Sequence, residues 1–215
     1  MTTVITPDWP VPPNVVAGTT TRSTKKRELP ENLRYLNQVH GAVVVTIDAL
    51  RGADEPLDAD GVTGRQPGDI CAVRTADCLP VLFCSTDGTR VAAAHAGWRG
   101  LAAGVLENTV SAMDVAPGRL LAWLGPAISQ ANFEVGDDVR EAFLPCDAEA
   151  DACFERNARG RWQADLYALA RQRLAKTGVE AIYGGGWCTF ADSGRFYSYR
   201  RDRDTGRMVS FVALK

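Results

Sequence analysis

Three short apolar runs, DICAVRT, PVLFCS and RVAAAHA, follow one another between Asp69 and Ala96, separated by turn residues such as Asp87-Gly88. Apolar runs of that length and spacing predict strands of one sheet. A chain with this centre is committed to a β-rich core on which everything else must pack. The period changes at Trp98. Leu101, Val105, Leu106, Thr109, Val110 and Met113 recur at helical spacing and predict one amphipathic helix from Trp98 to Asp114.

On either side the signals are local. NVVAGTTT reads as a strand, residues 22–33 as a polar loop, and RYLNQVHG with AVVVTI as a strand pair around Gly41. RLLAWLG is a strand ended by Gly125-Pro126. GDDVREAF is a short helix whose leading acids suit the helix dipole. QADLYALARQRLAKTG is a helix with the stripe Leu166, Leu169, Ala170 and Leu174, and Gly178 is its C-cap. VEAIYGG, RFYSYRR and MVSFVAL read as closing strands, and Pro7, Pro10, Pro12 and Pro13 mark residues 1–13 as an extended lead-in. The expected fold class is α/β (α+β), a mixed β-sheet packed with helices, in a single domain over residues 1–215.

Composition excludes several classes of function. A net charge of −2 without a basic face argues against a nucleic-acid partner. The one basic cluster, Lys25-Lys26-Arg27, is answered by Glu28 and Glu31 and reads as a solvated loop. The opening MTTVITPDWPVPPNVV is not expected to be a signal peptide. No apolar stretch reaches the ~18–20 residues of a spanning helix. A cytoplasmic monomer with no membrane partner is therefore expected, in a compartment where thiols stay reduced. The six cysteines (Cys71, Cys78, Cys84, Cys146, Cys153 and Cys188) have irregular spacing and no CxxC. Neither a disulfide framework nor an all-cysteine zinc site is expected, and most should be small buried hydrophobes.

The two histidines stand out. His40 in QVHG and His95 in HAG each end a strand-like run beside a glycine, and Cys78 in TADCLP sits at another such boundary. Side chains at element ends are held by the sheet and left open by the loop. Two imidazoles and a thiol can give zinc three ligands and leave the fourth position open, the pattern of a catalytic site. The separations match no local zinc motif, so two alternatives stand beside this reading. One is a pair of satisfied histidines with a buried cysteine. The other is a Cys78–His95 dyad in which the imidazole takes the thiol proton. HAGWRGLAAG adds Gly97 and Gly100 ahead of a helix N-terminus, with Arg99 in the same turn. A phosphate or carboxylate would suit that place; alternatively the glycines only make the turn and Arg99 pairs with a surface acid. No GxGxxG or GxxxxGK[ST] supports a dinucleotide or P-loop site.

LNQVHG, TADCLPVLF, HAGWRG, LGPAI with FEVGDDV, CTF and SYRRDRDTGRM occur in this order from about Gly18 to the C-terminus. Together they resemble the YfiH-like laccase-domain family, also called the polyphenol oxidase or purine nucleoside phosphorylase family. The resemblance implies a fold similar to that of deamidating bacterial toxins. It also implies zinc held by His40, Cys78 and His95, and phosphorolysis of adenosine, inosine, guanosine and methylthioadenosine, with adenosine deamination. On that footing Cys78, His95, Arg99 and Asp77 are catalytic candidates, Asp77 with a role through a ligand as well as a direct one. Arg22, Arg99 and Arg200 are candidates for holding substrate and phosphate, since the guanidinium fork matches phosphate oxygens. Cys188 reads as a core thiol that could also lie near the site. Copper, implied by the older name, is disfavoured because two histidines cannot build a multicopper cluster. The competing functions are a cysteine hydrolase or amidase built on Cys78 and His95, acting on peptidoglycan precursors, and a non-catalytic metal or nucleoside binder. Relatives carry a glycine-rich turn and a further histidine after the TTR motif, whereas only STKKRELPENLRY separates Arg22 from Leu36 here. The missing stretch bears on the pocket and not on the trio.

Overall fold

The computed structural model describes residues 3–215. In chain order the strands are β1 (Val4–Ile5), β2 (Val15–Thr20), β3 (Val44–Thr46), β4 (Gly61–Gly64), β5 (Ile70–Thr75), β6 (Leu79–Ser85) and β7 (Val91–Ala96). They continue as β8 (Leu120–Leu124), β9 (Glu134–Val135), β10 (Phe154–Arg156), β11 (Trp162–Ala164), β12 (Ala181–Gly184) and β13 (Met208–Leu214). The helices are α1 (Ile47–Gly52), α2 (Trp98–Ala102), α3 (Val105–Ala112), α4 (Asp137–Glu141), α5 (Leu166–Thr177) and α6 (Tyr199–Asp202). No described helix is long and apolar enough to cross a membrane.

The strands form three sheets. The central one has the order β12-β8-β6-β7-β4-β3 and is mixed: β12 runs parallel to β8 and β3 parallel to β4, and the inner pairs are antiparallel. A four-stranded antiparallel sheet has the order β1-β2-β13-β5, and β10-β11-β9 form a small third sheet. The period of two in β6 and β7 shows how the layers stack. Leu79, Val81 and Phe83 with Ala92, Ala94 and Ala96 face a core shared with α2, α3 and α5. Leu82, Cys84, Val91 and Ala93 face the other way, against Cys71, Val73 and Val212 of the four-stranded sheet. The central sheet is covered on both faces, which is why its strands read as unbroken apolar runs.

The α/β class and the mixed sheet are as expected, and α5 matches its prediction. Asp165 caps its start by accepting from Ala168 N, and Gly178 ends it at φ 91°. Four local readings are corrected. DICAVRT does not join PVLFCS and RVAAAHA, because β5 pairs with β13, Met208 opposite Thr75. RYLNQVHG is loop with one bridge, Asn37 to Asp58, and AVVVTI divides into β3 and the start of α1. The helix from Trp98 breaks at Gly104 (φ 92°), giving the short α2 and then α3. RFYSYRR turns into α6, capped by Ser198, whose side chain accepts from Arg201 N. The lead-in also contains a strand, β1, paired with β2.

Candidate metal centre

His95 lies on β7, fully inside the protein, and its Nδ1–H donates to Asp60 Oδ1 at 2.7 Å. Asp60 precedes β4, the neighbour of β7, and its own carbonyl accepts the His95 N–H at 2.7 Å. The same carboxylate accepts the backbone N–H groups of Val39 (3.2 Å), His40 (3.0 Å) and Gly41 (2.7 Å). This cradle holds His40 at φ 60°, a left-handed conformation that a side chain rarely adopts. Burial pushes the Asp60 carboxyl up, but the hydrogen bond from His95 and those from the loop outweigh it, and its pKa is lowered. One buried carboxylate thus fixes the His95 tautomer, leaving Nε2 free, and also mounts the loop that carries His40.

Cys78 follows Asp77, itself at φ 89°, where the chain leaves the four-stranded sheet for β6. Its Sγ lies 3.9 Å from His40 Nε2. The two imidazole centroids are 4.8 Å apart, edge to face, and the donor atoms of His40, Cys78 and His95 all fall within 4.8 Å of one another. Zn–S and Zn–N bonds of about 2.3 and 2.0 Å at tetrahedral angles would place sulfur and nitrogen about 3.6 Å apart. The donor set, its spacing and the carboxylate behind His95 fit a divalent metal with an open position. Without metal, burial would raise the thiol. The hydrogen bonds and charges of His40 and His95 outweigh this and lower Cys78 to about 6. Burial likewise lowers His95, but Asp60 and Cys78 outweigh it and raise the imidazole to about 9. A thiolate–imidazolium pair results, and a metal would displace its proton.

Gly97 and Gly100 allow the two histidine segments to meet. A Cβ on Gly97 would lie 2.9 Å from His40 Cδ2 and 3.1 Å from Cys78 Sγ, and one on Gly100 would lie 2.6 Å from the Gly41 carbonyl. Gly97 has φ −63°, so alanine meets contact and not backbone strain there. Gly97→Ala is expected to fold and to lose metal affinity by about tenfold or more, measured by competition with a chromogenic chelator. An affinity equal to wild type would show that the ligands yield freely. With α2 only five residues long, the expected anion site at a helix N-terminus reduces to the Arg99 side chain.

Two cavities meet at His40 and Cys78, and His95 borders the larger. The larger, about 670 Å³, is bordered by Gln38, Arg74, Thr75, Arg99, Thr205 and Arg207. The smaller, about 220 Å³, is apolar and aromatic, with Trp98, Ile128, Phe133, Leu166 and Tyr199. His40, Cys78, Arg99 and Tyr199 border both. Arg99 stacks on Trp98, 4.3 Å from its centroid. Arg200 borders the smaller cavity, but its Nη1 donates to the Glu134 carbonyl at 2.9 Å. Arg22 lines neither cavity; it donates to the Ser193 carbonyl and lies over Tyr197. Asp77 borders the smaller cavity with its carboxylate already engaged by Thr189 Oγ1 (2.6 Å), Ser198 Oγ (3.0 Å) and Arg200 N (2.7 Å). It ties the Cys78 turn to α6. Cys188 lines neither cavity and is half-buried against the main core, its Sγ accepting from Ser129 N and Asn132 Nδ2. No local sequence pattern marks Asp60, Arg74 or Arg207. Asp60 answers a chemical need, since a ligating histidine calls for an acceptor on its second nitrogen.

The multi-copper polyphenol oxidoreductase laccase family matches residues 12–215. The chain belongs to that family. Within it, the chain is 48% identical over 241 residues to a purine nucleoside phosphorylase of Pseudomonas aeruginosa, covering 98% of each. It is 46% identical to the purine nucleoside phosphorylase YfiH of Escherichia coli, over 248 residues and the whole of both chains. That alignment exceeds the 215 residues present here, so this family member lacks residues that its relative carries. A crystal structure of a Neisseria meningitidis family member superposes with a TM-score of 0.92 at 44% identity, covering all of both chains.

The paired ionisation is measured on protein stripped of metal with a chelator. Only the thiolate is alkylated, and its fraction grows as pH rises through the thiol pKa. The iodoacetamide rate at Cys78 should climb through pH about 6 and level off near pH 8. A midpoint near the ordinary ~8.5 would contradict the pairing.

Proposed function

We propose that the chain is a zinc-dependent purine nucleoside phosphorylase acting on adenosine, inosine, guanosine and methylthioadenosine in the cytoplasm, with adenosine deamination as a second activity. The observation that carries this is the convergence of His40, Cys78 and His95 where an apolar cavity meets a cationic one. The names of the relatives point the same way. Zinc on the trio would supply positive charge that polarises an attacking oxygen, of phosphate or of water. The chain's own residues do the rest. Trp98, Phe133 and Tyr199 offer flat faces to a purine. Arg99, bordering both cavities, holds the anion near the sugar–base bond. Asp60 keeps His95 Nε2 turned to the trio, and Asp77 holds the Cys78 turn. Copper oxidation by a multicopper cluster is disfavoured, since the chain has two histidines.

The test is adenine release from adenosine, with and without phosphate. Release should need phosphate, stop on chelation and return with zinc. A second reading, a cysteine hydrolase, draws on the lowered Cys78 thiol beside the His95 imidazolium. It predicts turnover that survives chelation and dies on alkylation, and that pattern would replace the phosphorylase.

A further inference from the structure

The larger cavity has a feature that a nucleoside slot does not need. Arg74, Arg99 and Arg207 border it, and none of the three has a carboxylate partner among the described residues. Arg74 is positioned from both sides. Its backbone N–H and carbonyl are each bonded at 2.8 Å to the Gln38 amide, and its guanidinium lies 4.9 Å from the Tyr35 ring centroid. Arg207 Nη1 donates to the Thr205 and Gly206 carbonyls at 2.8 and 3.0 Å. That leaves Nη2 and Nε of Arg207 without a protein acceptor among the described residues. Thr75 borders the same cavity, is 1% exposed, and its Oγ1 has no hydrogen-bond partner among the described residues. Three uncompensated cations around one space are the complement of a multiply charged oxyanion.

We propose that this cavity is a phosphate seat, in which Arg74 and Arg207 hold a phosphoryl group beside Arg99. The seat places the anion in the larger cavity, next to the apolar one with which it shares His40, Cys78, Arg99 and Tyr199, and it assigns phosphate to Arg74 and Arg207 in place of Arg22 and Arg200. Its part in turnover rests on the phosphorylase reading; binding does not. The phosphoryl group is either free phosphate or the 5′-phosphate of a nucleotide, for which about 670 Å³ leaves room.

The experiment is titration calorimetry of the purified protein with inorganic phosphate at fixed ionic strength. The Arg74→Ala/Arg207→Ala double variant is compared with wild type and with Arg119→Ala, whose side chain pairs with Asp87 far from the cavity. The Kd for phosphate should rise at least about tenfold in the double variant, the loss of one charge-assisted contact or more, and stay unchanged in Arg119→Ala. Both mutated side chains are on the surface, and an unchanged melting temperature checks the fold. Adenosine and adenosine 5′-monophosphate are titrated in parallel. Tighter binding of the monophosphate that vanishes in the double variant identifies the substrate's own phosphate as the occupant. Equal binding of the two identifies free phosphate. A phosphate Kd that is the same in wild type and double variant, or that responds only to Arg22→Ala, overturns the seat. Arginine-dependent phosphate binding without adenine release would instead remove the phosphorylase reading and leave the seat standing.

Discussion

Asp60→Asn should lower metal affinity 10- to 100-fold, roughly the usual cost of removing the acceptor behind a ligating histidine. It should also cost about 3–5 kcal/mol of stability, because the carboxylate is fully buried and its donors would be left facing an amide. Both effects come from one atom group. Asparagine keeps the shape, yet it can no longer accept from His95 and three loop N–H groups together. His95 would then be free to present either nitrogen, and the His40 loop would lose the bonds that offset its left-handed backbone. Chelator competition on the folded protein gives the first quantity and urea unfolding gives the second. An affinity equal to wild type in a protein that has lost stability would mean that Asp60 only supports the fold.

Cys78→Ala should take metal content from about one ion per chain, the number a single three-ligand site predicts, to none, read by mass spectrometry on protein purified without chelator. Adenine release should fall about a thousandfold, equivalent to about 4 kcal/mol of lost polarisation. Cys188→Ala is the matched control, since its sulfur is bonded to Ser129 and Asn132 and lines neither cavity. Metal retained in Cys78→Ala would remove the thiolate from the ligand set. Metal lost in both variants would show a collapse of the site and not the loss of a ligand.

Scarcity made the two histidines and the boundary cysteine candidates, but their spacing left three readings open, and the ordered family motifs are what singled out His40, Cys78 and His95 as one set. Helix α5 was legible because its caps, Asp165 and Gly178, and its stripe are local. The failures share a different cause. Asp60 meets His95 through the β4–β7 register, Gly61 opposite Ala94, which no local pattern encodes. The sheet that β5 joins is decided by β13, at the far end of the chain, and the apolar runs of β5, β6 and β7 look alike. Aromatic spacing in RFYSYRR suggests a strand, and the contact that makes a helix there is again remote: Asp77 accepts the Arg200 N–H. Two arginines of the larger cavity, Arg74 and Arg207, come from β5 and from the segment before β13, neighbours in space that are distant in sequence.

The connection from Arg22 to Leu36 packs Leu29, Leu33 and Tyr35 over the four-stranded sheet and supplies none of the three donors. It reaches the site only where Tyr35 lies against Arg74. The donors and the crossing therefore belong to separate parts of the chain: the crossing covers the four-stranded sheet, while the reactive atoms stay where Asp60 and the central sheet put them.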